Sequence, residues 1–249
     1  MFRHRSKQSA SAHFTRNMPV PDWHLRFKIL AQEAQDSRIK SYYQAGIISE
    51  DTPLSAVPFV ALDFETTGLN SETDDIVSIG LVPFDIHRIY CRQSQHWVVK
   101  PKVKLEEDSV VIHGITHSDV QQAPDLRRIL EAVLDALAGK VVVVHYKNIE
   151  RQFMDRALKI RLGEGIQFPV VDTLAIEATI QQQQVSGLWN KLKGKRPGSV
   201  RLGKCRSRYG LPAYQPHHAL TDALATAELL QAQIAYHFSP ETPIGQLWE

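Results

Sequence analysis

Four carboxylates and a histidine, spread over three short stretches, are the residues best placed to do chemistry in this chain. The first stretch is Ala61-Leu62-Asp63-Phe64-Glu65-Thr66-Thr67-Gly68-Leu69. Asp63 and Glu65 are one residue apart, so on a strand both project from one face and Phe64 from the other. Carboxylates held that close repel each other unless a cation or a shared proton lies between them. Hard oxygen donors at a strand end suit Mg²⁺ or Mn²⁺. Gly68 can adopt a positive φ and closes a turn with free backbone N–H groups. Taken alone, the stretch is as readily a strand ending in two solvated acids.

The second stretch follows the aliphatic run Val141-Val142-Val143-Val144 and contains Glu150, in the first turn of a helix expected over 149–162. An isolated acid at that position is more often there for the helix dipole. Asp155 lies about 140° further round the same helix, so the two do not share a face. Glu150, nearer the strand end, is the better ligand. The third stretch is Pro216-His217-His218-Ala219-Leu220-Thr221-Asp222. Asp222 falls in or near the first turn of the last helix, and His217 precedes it on a loop, free to lean over the same site. A histidine titrates near neutral pH, which suits His217 to act as a general base on water. A lone histidine pair is usually a surface feature. A histidine five residues before an acid, after two other acidic sites, is more specific.

These groups need strands and helices to bring them together. Apolar runs predict strands over 57–62, 76–84, 95–100, 140–144 and 169–172. Helical spacing predicts helices over 124–138, 149–162, from 174, and from 217 to about 236. Consecutive strands joined by short loops suggest an antiparallel meander at the start, and the alternation that follows makes an α/β layered domain. Alanines at 223, 225 and 227 let the last helix approach the sheet closely. Ahead of this domain, residues 1–21 are basic and free of acids, with no apolar run behind them, so they do not form a secretory signal. They read as a transit peptide or a tail. Asp22 caps one expected helix over 22–43, a segment that either packs on the domain or docks a partner. The domain boundaries so read are 1–56 for the tail and helical extension, 57–239 for the catalytic domain, and 240–249 for a C-terminal tail.

Charge points to the substrate. The net charge is only +2, yet eight of the positive charges lie at Lys191, Lys193, Lys195, Arg196, Arg201, Lys204, Arg206 and Arg208, inside a basic insertion over 190–215. No acid occurs from 178 to 221, and without those eight the rest of the chain stands at −6. A local positive field just upstream of His217 and Asp222 suits a phosphate backbone. It is otherwise a solvated loop. The two cysteines, Cys91 and Cys205, fit no metal spacing and read as free thiols of a reducing compartment, which suggests the cytoplasm. The longest purely aliphatic run is four residues, too short to span a membrane.

Asp63-Phe64-Glu65-Thr66-Thr67-Gly68, the His145…Glu150 site and His217-x-Ala-x-x-Asp222 together resemble the three motifs of the DEDDh 3′→5′ exonucleases, the family of the epsilon proofreading subunit and RNase T. Ile112-His113-Gly114-Ile115-Thr116 resembles that family's His-Gly-Ile element, and Val171-Asp172-Thr173-Leu174 also looks familial. The similarity covers about residues 57–237. It implies a ribonuclease H-like fold, with a mixed five-stranded sheet ordered 3-2-1-4-5 and covering helices. It implies metal ligation by Asp63, Glu65, Glu150 and Asp222, with two divalent cations bound, and His217 as the base. It implies a seat for the terminal nucleotide at Thr66, Thr67, Leu69 and His113, and hence a free 3′ end, with DNA the expected substrate. The middle motif departs from the family's usual His-Asn-x-x-Phe-Asp: Tyr146 stands at the Asn position and Glu150 at the Asp position. Three alternatives stay open: a ribonuclease or oligonucleotide hydrolase of the same family, an inactive nucleic-acid-binding module, and a polymerase-bound subunit docked through the N-terminal helix.

Overall fold

The computed structural model describes residues 20–105, 110–111, 113–186 and 196–249. The basic tail over 1–19, Ile112, and Lys191, Lys193 and Lys195 lie outside the described residues.

Strand β1 (Phe59–Thr66) is buried throughout from Phe59 to Leu62, as expected of a strand covered on both faces. Strand β2 (Ile76–Phe84) pairs with it antiparallel, and β3 (Gln95–Val98) adds an antiparallel edge. On the other side β4 (Val141–Val144) runs parallel to β1, and β5 (Val170–Asp172) runs parallel to β4. The order is β3-β2-β1-β4-β5, the mixed sheet that the motifs implied.

The helices are α1 (Trp23–Glu33), α2 (Ser37–Gln44), α3 (His117–Gln122), α4 (Leu126–Leu137), α5 (Lys147–Leu162), α6 (Thr173–Val185), α7 (Leu202–Arg208) and α8 (Ala219–His237). Helix α4 buries Leu126, Leu130, Val133, Leu134 and Leu137, the apolar face its spacing predicts. It lies with α5 on one face of the sheet. Arg161 of α5 makes a buried ion pair with Asp75, just before β2, at 2.7 Å, and also lies within reach of Asp125, the N-cap of α4. Helices α6 and α8 cover the other face, joined by Gln233 donating to the Thr173 carbonyl and to Glu177. No helix of the described residues is long and apolar enough to cross a membrane.

Both ends of the chain differ from their expected form. The helix expected over 22–43 breaks in two, because the Asp36 side chain accepts from the Arg38 amide and starts α2 afresh. This extension is part of the body. Trp23, Phe27, Ile39, Tyr42, Tyr43, Ile47 and Leu54 are buried within the main core, and Tyr43 accepts the Gln167 amide at 2.8 Å. The stretch over 240–249, expected as a tail, lies against the sheet: Trp248 bridges Val171, the Val170 and Glu249 backbones bond each other, and Ile244, Leu247 and Trp248 are buried. The last helix begins at Ala219, two residues later than expected, with His218 as its N-cap.

Candidate active site

The site forms where the C-terminal end of β1 meets the first turns of α5 and α8. In register, Asp63 lies opposite Gly80, and Gly80 opposite His96. A Cβ on Gly80 would sit 2.3 Å from the Ala219 backbone. The missing side chain is what lets the start of α8 settle directly on β2, and this carries Asp222 to Asp63. Asp63, Glu65 and Asp222 each offer a carboxylate oxygen, all within 4.8 Å of one another. Glu150, in the first turn of α5, is buried, and its Oε2 has no hydrogen-bond partner.

The electrostatics follow from this crowding. Burial, then the charges of Glu150, Asp222 and Glu65, hold the Asp63 carboxyl well above the usual range. Burial and then Asp222 push Glu65 up to about 7. Burial raises Glu150 as well, opposed by a backbone hydrogen bond and reinforced by Asp172. Burial also raises Asp222, while hydrogen bonds from the His217 and His218 backbones and the charges of both imidazoles pull it down. Burial disfavours all four acids as anions, the neighbouring acids add to this at Asp63 and Glu65, and Glu150 keeps an orphan oxygen, a donor set that fits divalent metal.

His217 is exposed at φ 68°, with its amide donating to Asp222 Oδ2 at 2.7 Å. His113 is buried; its Nδ1 accepts the Ile115 amide and its Nε2 has no partner. Burial, and then the His217 charge, lowers its pKa, which puts the two imidazoles in each other's field. Thr66 donates to the Gly68 carbonyl at 2.6 Å, and Leu69 projects outward, 87% exposed. Thr67 is buried, with its amide on the Asp75 carbonyl and its hydroxyl on the Asp75 amide and Asp74, so it holds the loop that presents Leu69. Asp155 accepts from Lys159 and from the Ile166 amide, which engages it in local structure.

The basic insertion divides into two groups. Arg206 is buried, donating to the Ala225 and Pro212 carbonyls and to Glu228, and Arg208 pairs with buried Glu177. These two charges are engaged in the protein's own structure. Arg196, Arg201 and Lys204 are exposed. Spacing gave no hint of the division, because the acids that claim Arg206 and Arg208 lie outside the insertion, on α8 and α6. Gly80 was also missed; as a single glycine inside a strand it signals only a close approach.

Comparison with known proteins gives the family. The pattern of the RNase T-type exonuclease family matches residues 60–230, more than half of the chain. The chain belongs to the exonuclease family. Exonucleases of this DEDDh type use divalent metal ions, in keeping with the acid cluster. The DNA polymerase III subunit epsilon of Treponema pallidum is 29% identical over 181 residues, which is 73% of this chain and 78% of that protein. The PolC-type DNA polymerase III of Thermotoga maritima is 29% identical over 182 residues, but there the matched part is 73% of this chain and only 12% of the relative. The nuclease domain of 3′hExo, a DEDDh family member solved with rAMP, superimposes with a TM-score of 0.58 at 15% identity, over 73% of this chain and 94% of that one. At that identity the likeness is one of fold.

Proposed function

We propose that this exonuclease hydrolyses the terminal phosphodiester at the 3′ end of a nucleic acid strand, DNA in the first instance, and releases nucleoside monophosphates. The observation that carries this reading is the convergence of Asp63, Glu65 and Asp222 within 4.8 Å, beside buried Glu150. Asp63, central to the cluster, would contact both of two cations, Glu65 and Asp222 would complete the first site, and Glu150 would serve the second. When bound, Mg²⁺ or Mn²⁺ supplies an activated water and charge relief at the leaving oxygen. The chain's residues do the rest. His217, tethered to Asp222, takes a proton from the attacking water at a ring nitrogen. Exposed Leu69 separates the terminal base from its neighbour, the Thr66–Gly68 turn and His113 border the terminal nucleotide, and Arg196 and Arg201 attract the phosphates.

The exonuclease unit is proposed to span 57–239, with the segments before and after it packed into the same core, and its free thiols Cys91 and Cys205 accord with a reducing compartment such as the cytoplasm. Similarity to a polymerase subunit raises a polymerase partner for this chain. The aromatic side of the N-terminal helices is buried in its own domain, so such docking would use the outer side of α1, where Leu25 and Ile29 are exposed. A digestion panel tests the proposal: single- and double-stranded DNA and RNA, with the Asp63→Ala variant as blank. Faster loss of DNA than RNA supports the stated substrate, and the reverse order makes the enzyme a ribonuclease.

A further inference from the structure

Tyr146 is one of two non-glycine residues with positive φ among the described residues; the other is His217. At φ 94° and ψ 78° it sits in the left-handed region as the N-cap of α5. That region is unfavourable for a bulky side chain and persists only where the surroundings impose it. Here the backbone is clamped. The Asp172 carboxylate accepts the Tyr146 and Lys147 amides at 3.0 Å each, while also capping α6 through the Leu174 amide. The preceding His145 is pinned at both ring nitrogens, to Thr173 Oγ1 at 2.8 Å and to the Val200 carbonyl at 2.9 Å.

The ring itself is free. It is 45% exposed, and its hydroxyl has no hydrogen bond among the described residues. Folding therefore gains little from an aromatic at this position, where glycine or asparagine would sit with less strain. The neighbouring segments place the residue at the carboxylate end of the sheet. Tyr146 lies four residues before Glu150, and Leu69 four residues after Glu65. The Leu69 loop is anchored on α5, through Ser71 to Gln152 at 3.2 Å and Glu72 to Arg156 at 3.5 Å. The Val200 carbonyl held by His145 brings the exposed basic segment, with Arg201 next in sequence, up to the residue before Tyr146. An exposed aromatic at the same end of the domain as an exposed basic segment is the kind of surface that binds single-stranded nucleic acid, with the ring taking a base and the cations the phosphates.

We propose that Tyr146 stacks a nucleobase of the strand held at the carboxylate site, and that its strained backbone is kept because it presents the ring there. This rests on the exonuclease reading and specifies one of its base contacts.

The test uses the full chain with Tyr146→Gly and Tyr146→Phe, on single strands carrying an abasic site at each of the three 3′-terminal positions in turn. Stacking predicts that Tyr146→Gly raises KM by roughly 5- to 150-fold, the range for loss of one stacked base, and changes kcat far less. Its Tm stays at or above that of the wild type, and Tyr146→Phe restores the wild-type KM. One abasic position raises KM for the wild type but adds nothing for Tyr146→Gly. An unchanged KM in Tyr146→Gly, or a fall in its Tm that accompanies the loss of function, overturns the proposal. Anisotropy of a labelled oligonucleotide makes the same comparison without turnover. A wild type that binds but does not hydrolyse sinks the exonuclease reading and leaves stacking to be judged by binding; a wild type that does neither overturns both.

Discussion

The backbone N–H of His217 donates to Asp222 Oδ2 at 2.7 Å, so one hydrogen bond fixes the proposed base to a proposed metal ligand. His217 makes this bond with its backbone in the left-handed region, at φ 68°. It leaves the imidazole exposed on the solvent side of the acids. His218 does different work: its ring caps α8 toward the Thr221 amide and lies 4.8 Å from the His96 ring.

His217→Ala should therefore lower kcat by roughly 10²–10⁴-fold, the usual worth of general acid–base catalysis. His218→Ala should show mainly a loss of stability, roughly 0.5–2 kcal/mol for a lost cap. Steady-state kinetics and thermal melts on both variants check this; a larger kcat loss in His218→Ala would exchange the two roles.

Removing a repelling charge should stabilise the metal-free protein. Glu65 is held at about 7 in the folded chain, against 4.5 ordinarily. Between those values the folded state keeps a proton that the unfolded chain has lost, so stability falls as pH rises through that window. The Tm in chelator should fall from about pH 5 to about pH 8, and Glu65→Gln should flatten that fall and melt higher at the alkaline end. Added Mg²⁺ should raise the wild-type Tm more at alkaline than at acid pH, since it competes with protons for the same oxygens. Calorimetry in chelator and in Mg²⁺ reads both effects. A Glu65→Gln protein that melts lower than wild type at about pH 8 contradicts the electrostatic picture.

At Glu150 the charge should matter more than the length. Glu150→Gln keeps volume and removes the anion, and is expected to abolish most turnover. Glu150→Asp restores the family's commoner ligand with one methylene less reach, and should retain measurable activity, more with Mn²⁺ than with Mg²⁺. Near-wild-type turnover of Glu150→Gln at limiting Mg²⁺ would remove Glu150 from the site.

The basic insertion should separate by role. Neutralising Arg196, Arg201 and Lys204 should weaken nucleic-acid binding and flatten its salt dependence, by about 0.7 of a slope unit per lost phosphate contact on single strands. Arg206→Ala should instead destabilise the fold, because it takes a buried donor from the Ala225 and Pro212 carbonyls and leaves Glu228 with Tyr214 alone. Salt titrations of binding, alongside melts, separate the two outcomes. An unchanged salt slope in the triple variant would mark the segment as a solvated loop.

Much of the candidate site was legible because its groups declare themselves locally. Asp63 and Glu65 share a strand face through the two-residue period alone, and Glu150 and Asp222 each follow a readable strand or helix start. What stayed hidden depends on distant partners. The seat of α8 rests on Gly80 meeting Ala219, far apart in sequence. The strained backbone of Tyr146 depends on Asp172, which sequence places only at the end of a short strand. The single helix expected over 22–43 missed its break because Ala34 and Gln35 favour helix, whereas Asp36 starts a second one. The 240–249 stretch looked like a tail because its pairing with Val170 and Val171 is visible only in three dimensions.

The most direct measurement follows one single-stranded DNA labelled at its 5′ end in one tube and its 3′ end in another, in Mg²⁺, in chelator, and with Asp63→Ala. Hydrolysis from the 3′ end by the carboxylate cluster predicts immediate release of the 3′ label as a mononucleotide and stepwise shortening of the 5′-labelled strand. Both should vanish in chelator and in the variant. Release of the 5′ label first, internal cleavage, or equal hydrolysis in chelator would contradict it.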